Sequence, residues 1–349
     1  MKDNANFGDS PRAHGPAPVT GRIRLEPEDF RVEEILGFDP DGIGSHALLQ
    51  VEKTSANSAW VAGQLARSLS IRRRDVGFAG QKDRNAVTVQ WFSVPLGAQC
   101  PVESLAEIHG PGYRVLTAVR HGRKLRPGSH RANRFHIRVR EVSGDKDQFE
   151  VRMRIIADEG VPNYYGPQRF GRRWANLHRA RDWARTGREP DQRGNRGFAL
   201  SAARSWLFNL VLAARVETGS WQRILPGEAV ILDGSNSFFG APDDQPEPGL
   251  VERCRRLDVH PSGPLWGRGE PPVTGSAREL ECRAVSGESE LCGLLAAQGL
   301  KQERRSLRLP VRGLDWQFEE NDIQLVFELP RGTFATAVLH EIVETDPAG

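Results

Sequence analysis

Apolar and polar positions alternate with period two over residues 21–25, 30–35 and 47–53, which predicts three early strands, each with one face to bury. Residues 57–69 change to helical spacing, with Ala62, Leu65, Ala66 and Leu69 on one side and Asn57 or Ser58 placed to cap. From Asn133 to Arg140 the alternation returns. Phe135, Ile137 and Val139 point one way, and Arg134, His136, Arg138 and Arg140 the other. Beyond about residue 155 the periodicity lengthens: Ser201–Glu217 carries Trp206, Leu207, Leu210, Val211 and Ala214 on one stripe and is closed by Gly219, and Glu288–Leu295 begins another amphipathic run. Ile323–Leu329 alternates again, and Thr333 is placed to cap a helix through Val343. Strands, then helices, then strands predict a middle domain inserted between two parts of one domain.

The size agrees with that division, since 349 residues favour two domains and 38% hydrophobic residues can fill their cores. No apolar run approaches the roughly 20 residues needed to cross a bilayer, so a soluble protein is expected. The first 20 residues are polar, rich in Pro and Gly and without an apolar h-region, which predicts a flexible tail and no secretion. Cys100, Cys254, Cys282 and Cys292 form no CxxC pair, and no His lies near them at zinc spacing. Neither a metal nor a disulfide framework is indicated, and a reducing cytoplasm is expected. No heptad seam is left over for self-association, so a monomer is expected.

A net charge of +3 looks small for a nucleic-acid binder until its distribution is read. Nine basic residues and no acid fall between Pro111 and Arg140: Arg114, Arg120, Arg123, Lys124, Arg126, Arg131, Arg134, Arg138 and Arg140. Arg169, Arg172, Arg173, Arg179 and Arg181 form a second cluster, whereas 241–250 is acidic and proline-rich. That asymmetry suits an RNA phosphate backbone.

Candidate chemistry concentrates in GFAGQKDRNAVTVQ, Gly77–Gln90, where Asp83 stands between Lys82 and Arg84 behind a glycine-punctuated turn. Cations keep a carboxylate ionised where burial would raise its pKa, and Gly77 and Gly80 allow close approach. The plain alternative is a surface turn with an ordinary ion pair.

The wider pattern resembles the tRNA pseudouridine synthase D family. Gly80, Lys82, Asp83, Ala86, Thr88, Gln90 and Trp91 fit that family's nucleophile segment. PEDFRVEE (Pro27–Glu34), KLRPGSHRANRF (Lys124–Phe135), VPNYYGPQRFGR (Val161–Arg172) and LPRGTFATAVLHEIV (Leu329–Val343) fit in the family's order, nearly end to end. Tyr165 is a departure, because the family commonly has Phe there.

The resemblance implies an α+β fold: a pseudouridine synthase core with a mixed, largely antiparallel sheet, interrupted by an inserted α/β domain. The expected boundaries are a tail at 1–20, core at 21–154, insertion at 155–306 and core again at 307–349. It implies isomerisation of a uridine, uridine-13 of tRNA(Glu), with Asp83 as nucleophile, without cofactor or metal. By resemblance Phe30 and Phe334 contact the substrate, and Phe135 lies beside the uracil, where other pseudouridine synthase families use a tyrosine. Asn133 is placed to bond a base edge or ribose hydroxyl, and Lys82 joins the substrate-binding set. Arg131, Arg134, Arg138, Gln168 and Arg169 are candidate RNA contacts. Lys82 is free to point away from its neighbour, which leaves open an arginine from elsewhere as the partner of Asp83.

Three other readings stay open on the residues alone. One is an RNA-binding or RNA-folding protein, although an anion in a phosphate-binding cleft gains a pure binder nothing. Another is a pseudouridine synthase acting on a different RNA. The third is a carboxylate-dependent hydrolase, which needs a second acid that neither Glu28 nor Asp29 clearly supplies.

Overall fold

The computed structural model describes residues 7–83, 85–191 and 193–345, so Arg84 lies outside the described residues. The chain divides into two compact units, each discontinuous in sequence: 19–146 with 312–332 and 343–345, and 7–18 with 147–311 and 333–342.

The first unit is built on an eleven-stranded sheet. Its main path runs Arg312–Glu319, Asp322–Pro330, His130–Gly144, Phe30–Leu36, Val87–Pro95, His46–Thr54, Tyr113–His121 and His109–Gly110. Pairing along this path is antiparallel except between Phe30–Leu36 and Val87–Pro95. A second parallel pair joins Val19–Ile23 to Val343–Thr345, so Val343 starts a strand rather than ending the helix Ala335–Ile342.

Register decides what each face carries. Phe30 lies opposite Ile137, Val32 opposite Phe135 and Glu34 opposite Asn133. Val32 also lies opposite Thr88, and Thr88 opposite Lys53, with Gln90 opposite Val51. Directly opposed residues share a face. One side of the sheet therefore holds Phe30, Glu34, Lys53, Gln90, Asn133 and Phe135 together, among apolar neighbours. The helix Ser58–Ser68 packs Val61, Ala62, Leu65 and Ala66 against Leu49, Val51, Phe92 and Val94. Asn57 occupies its cap position but makes no side-chain cap bond. The Ser58 hydroxyl donates to Gln90 Oε1 at 2.7 Å instead.

The other side of the sheet is a mesh of ion pairs: Arg31 with Glu33 (3.0 Å) and Glu52 (2.9 Å), Arg134 with Glu328 (2.5 Å) and Arg138 with Asp322 (2.7 Å).

The second unit packs helices on an antiparallel four-stranded sheet, ordered Phe238–Gly240, Ala229–Leu232, Val259–Leu265 and Glu303–Ser306. Its long helix, Arg193–Glu217, buries Ala199, Ala203, Leu207, Phe208, Val211 and Leu212, and Gly219 follows it at φ 59°. By length and apolar content Gly194–Glu217 is sufficient to cross a membrane, contrary to the expectation that no run is long enough. Its buried stripe and its fully buried Arg215–Glu228 pair at 2.7 Å make it a core helix of this unit.

The unit boundaries also differ from those expected. The division falls at 146/147 and 311/312, and 333–342 joins the helical unit. Nor is all of the N-terminal segment a loose tail: Ala13 and His14 donate backbone N–H groups to Glu341 at 3.0 and 3.3 Å. The Arg12 Nε donates to the His340 carbonyl at 2.6 Å, and Arg152 donates to the carbonyls of His14 and Pro16. Pro and Gly exclude regular structure without excluding order, because carbonyls can be satisfied by side chains.

Candidate active site

The loop before Val87–Pro95 carries Asp83, and buried groups hold it from below. Gln90 donates its amide to the Gly80 carbonyl, and the Lys82 N–H donates to the Ser58 hydroxyl at 3.1 Å. Lys53, fully buried on its strand, reaches up with Nζ donating to the carbonyls of Ala56 (2.7 Å) and of Asp83 itself (3.1 Å). Burial pushes the Lys53 ammonium down to about 8, against the pull of Asp83 and with a further push from Lys82. The Asp83 side chain closes the turn on itself, Oδ1 accepting from Asn85 N at 3.2 Å.

The other carboxylate oxygen, Oδ2, faces Arg24 Nη1 at 3.2 Å, and 39% of the Asp83 side chain stays exposed. Among the described residues, Arg24 is thus the cation that meets the Asp83 carboxylate, as the alternative to Lys82 had allowed. It sits just past Val19–Ile23 in the left-handed region (φ 59°), which costs a non-glycine residue about 1 kcal/mol. Its guanidinium also lies 4.0 Å above the Phe30 ring. Phe30 meets Phe135 edge to face at 6.0 Å, and Phe135 stacks on Phe327 at 5.5 Å. All three rings are buried, so Phe30 and Phe135 form a floor, with Arg24 linking it to Asp83.

Lys82 turns the other way. Its Nζ pairs with the buried Glu34 at 2.9 Å and donates to Asn133 Oδ1 at 2.6 Å. Glu34 also accepts the Trp91 N–H at 2.9 Å. His130 lies 3.7 Å from Glu34, and burial, then Lys82 and Arg331, push its imidazole down to about 4, so it is neutral at pH 7. With its Oδ1 occupied by Lys82, Asn133 keeps its NH₂ as the group to offer a ligand.

The structure therefore brings Asp83, Lys82, Asn133, Phe30 and Phe135 together in the sheet unit. Phe334, Gln168 and Arg169 form a separate group in the helical unit. Phe334, half-buried, packs on Tyr165 at 5.8 Å; Arg169 lies 5.0 Å from Tyr165 and 5.6 Å from Phe334, and it donates to Ser201 at 2.9 Å. Gln168 is exposed. A second arginine, Arg305, lies 4.1 Å over Tyr165. Arg24, Lys53 and Glu34 were not foreseen from the sequence. Glu34 closes the PEDFRVEE segment and Lys53 ends the alternation over 47–53, so a charge at an inward strand position was the available signal for both; nothing in the chain pattern marked Arg24.

Among the candidate RNA contacts, Arg134 and Arg138 are spent on the ion pairs of the sheet, whereas Arg131 is exposed and makes no ion pair among the described residues.

Residues 10–183 and 195–342 match the model of the family described as tRNA pseudouridine synthase D (TruD). The chain is 46% identical to the tRNA pseudouridine synthase D of Methylococcus capsulatus over 99% of this chain and 98% of the relative. It is 45% identical to that of Nitrosococcus oceani over 95% and 93%. A crystal structure of a putative tRNA pseudouridine synthase D from Methanosarcina mazei shares the fold, with TM-score 0.69, 20% identity and 96% of each chain covered. The chain belongs to the tRNA pseudouridine synthase D family, a family of RNA-modifying isomerases.

Proposed function

We propose that this protein converts a uridine of tRNA, uridine-13 of tRNA(Glu), to pseudouridine, with Asp83 as the nucleophile, in the cytoplasm. The observation that supports this reading most is a part-exposed carboxylate held by its own backbone on a rigid base and faced by Arg24.

The isomerisation breaks the bond between ribose C1′ and uracil N1, turns the base, and joins C1′ to C5. C5 gives up its proton and N1 ends with one, so no electrons enter or leave. Asp83 starts the reaction by adding to the ring or to C1′, or by assisting loss of a ribose proton, and each route needs it ionised. Arg24 orients one oxygen of the carboxylate, leaving the other on the turn. Extruding the uridine from its stack costs a few kcal/mol, and stacking returns about 1 to 3 kcal/mol. Phe30 offers the ring face now under Arg24, so a base arriving there moves the guanidinium aside and leaves it to Asp83. Asn133 is proposed to bond the base edge or a ribose hydroxyl through its NH₂, and Lys82 to fix that orientation. Phe135 supports Phe30 from within the floor. Phe334, Gln168, Arg169 and Arg131 are proposed as RNA contacts.

The test is Asp83→Asn, which keeps size and the bond to Asn85 while removing the charge. The expected outcome is tRNA binding within a few-fold of native and no pseudouridine by mass spectrometry. Turnover at a hundredth of the native rate or more would remove Asp83 from the nucleophile's role.

A further inference from the structure

The sheet unit carries a second basic feature that strand pairing does not neutralise. Arg72 and Arg74 project from the short turn after the helix Ser58–Ser68, Arg123 and Arg126 from the segment leading into His130–Gly144, and Arg131 from the start of that strand. All five are exposed, and none makes an ion pair among the described residues. Asp75 is the one acid in either segment.

Both segments are held firmly to each other and to the loop that carries Asp83. Lys124 donates to the Arg74 carbonyl, and Leu125 N donates to Ser93 Oγ at 2.8 Å. Gly77 is pressed so closely on this segment that a Cβ there would stand 2.5 Å from the Leu125 carbonyl oxygen. Gly128 N donates to the Ala79 carbonyl at 2.6 Å, and Arg331 N to that of Arg131 at 3.2 Å. The backbone is fixed while the guanidiniums stay free.

We propose that Arg72, Arg74, Arg123, Arg126 and Arg131 form a phosphate-binding edge that holds the RNA backbone flanking the target nucleotide, and that the ion-paired Arg134 and Arg138 further along the strand do not. This rests on the RNA-isomerase reading above. Unpaired like charges repel one another and cost stability unless an anion neutralises them, whereas Arg134 and Arg138 already have carboxylates. Guanidinium forks suit phosphate oxygens, and anchored backbones confine the search.

The probe is unfractionated bacterial tRNA, with binding measured against salt concentration. Arg72→Gln with Arg74→Gln, and separately Arg126→Gln with Arg131→Gln, should each flatten the slope of log K against log salt by about 1.5, at roughly 0.7 to 0.9 for each phosphate no longer neutralised. Arg134→Gln with Arg138→Gln should leave the slope within about 0.5 of native. The two pairs sit on separate segments, so if one variant failed to fold the other would decide. Native slopes in the pair variants, or an equal loss in the strand variant, would overturn the proposal. Native protein that binds with these slopes yet makes no pseudouridine would sink the isomerase reading and leave the edge standing; pseudouridine formation with unchanged slopes would do the reverse.

Discussion

Asp83 owes its setting to residues distant in the chain. Lys53 holds its carbonyl, and Arg24 its carboxylate. Lys53→Met should therefore slow turnover at least tenfold, about 1.4 kcal/mol, while tRNA binding and the thermal midpoint change little, because an apolar side chain of similar length fills the same buried space. Among the described residues Asp83 and Lys82 exert charge on this ammonium, and with its pKa at about 8 the proton is present below that pH and lost above it. Native kcat should decline above about pH 8, and the Met variant should lack that decline. An alkaline limb that persists in Lys53→Met would refute the role. His130 makes a separate, structural prediction. Its pKa is lowered to about 4 from an ordinary 6.5, so the unfolded chain takes up the proton first and stability falls as pH drops from 6.5 towards 4. The loss is on the order of 2 kcal/mol after allowing for partial solvent contact. Urea unfolding at pH 7 and pH 4 should show a shallower dependence in His130→Asn; equal dependence would contradict it. Asp83, Lys82 and Asn133 were legible from their motifs. Arg24 was not, because its place is set by a left-handed backbone position, and the inward parity of Lys53 does not reveal that strand register brings its ammonium to the Asp83 carbonyl.

Strand alternation was the most readable feature, since side-chain direction follows from period two alone. It placed Phe135, Ile137 and Val139 on the buried face, as found. What it could not give was the partner strand, and hence the carboxylates that neutralise Arg134 and Arg138. The aromatic floor depends on such pairing: Phe327, opposite Phe135, is fully buried and stacked on it. Phe327→Ala should cost about 3 to 5 kcal/mol in urea unfolding, as a cavity opens beneath Phe135. A loss under 1 kcal/mol would mean the floor does not depend on the stack. The same limit affects helices. Arg193–Glu217 reads as amphipathic or as apolar enough to span a membrane according to the window chosen, and packing decides. Asn57 had the chemistry of a cap, yet tertiary bonding drew Ser58 to Gln90 and left the Asn57 side chain without a cap bond.

The family's five segments lie in order along the chain, with some in each of the two units. The change in periodicity predicts an inserted middle domain, whereas the helical unit gathers 147–311 with 7–18 and 333–342. The edges of that unit were not legible, because 7–18 and 333–342 join it through hydrogen bonds between termini, and sequence distance says nothing about these. The proposed function turns on one carboxylate and one class of RNA. The decisive measurement is a map of pseudouridine in total RNA from cells lacking the gene, complemented with the native protein or with Asp83→Asn. The expected result is a tRNA pseudouridine, at position 13 of tRNA(Glu), that disappears on deletion, returns with the native protein and stays absent with the variant. Return of that pseudouridine with Asp83→Asn, or an unchanged map on deletion, would contradict the account.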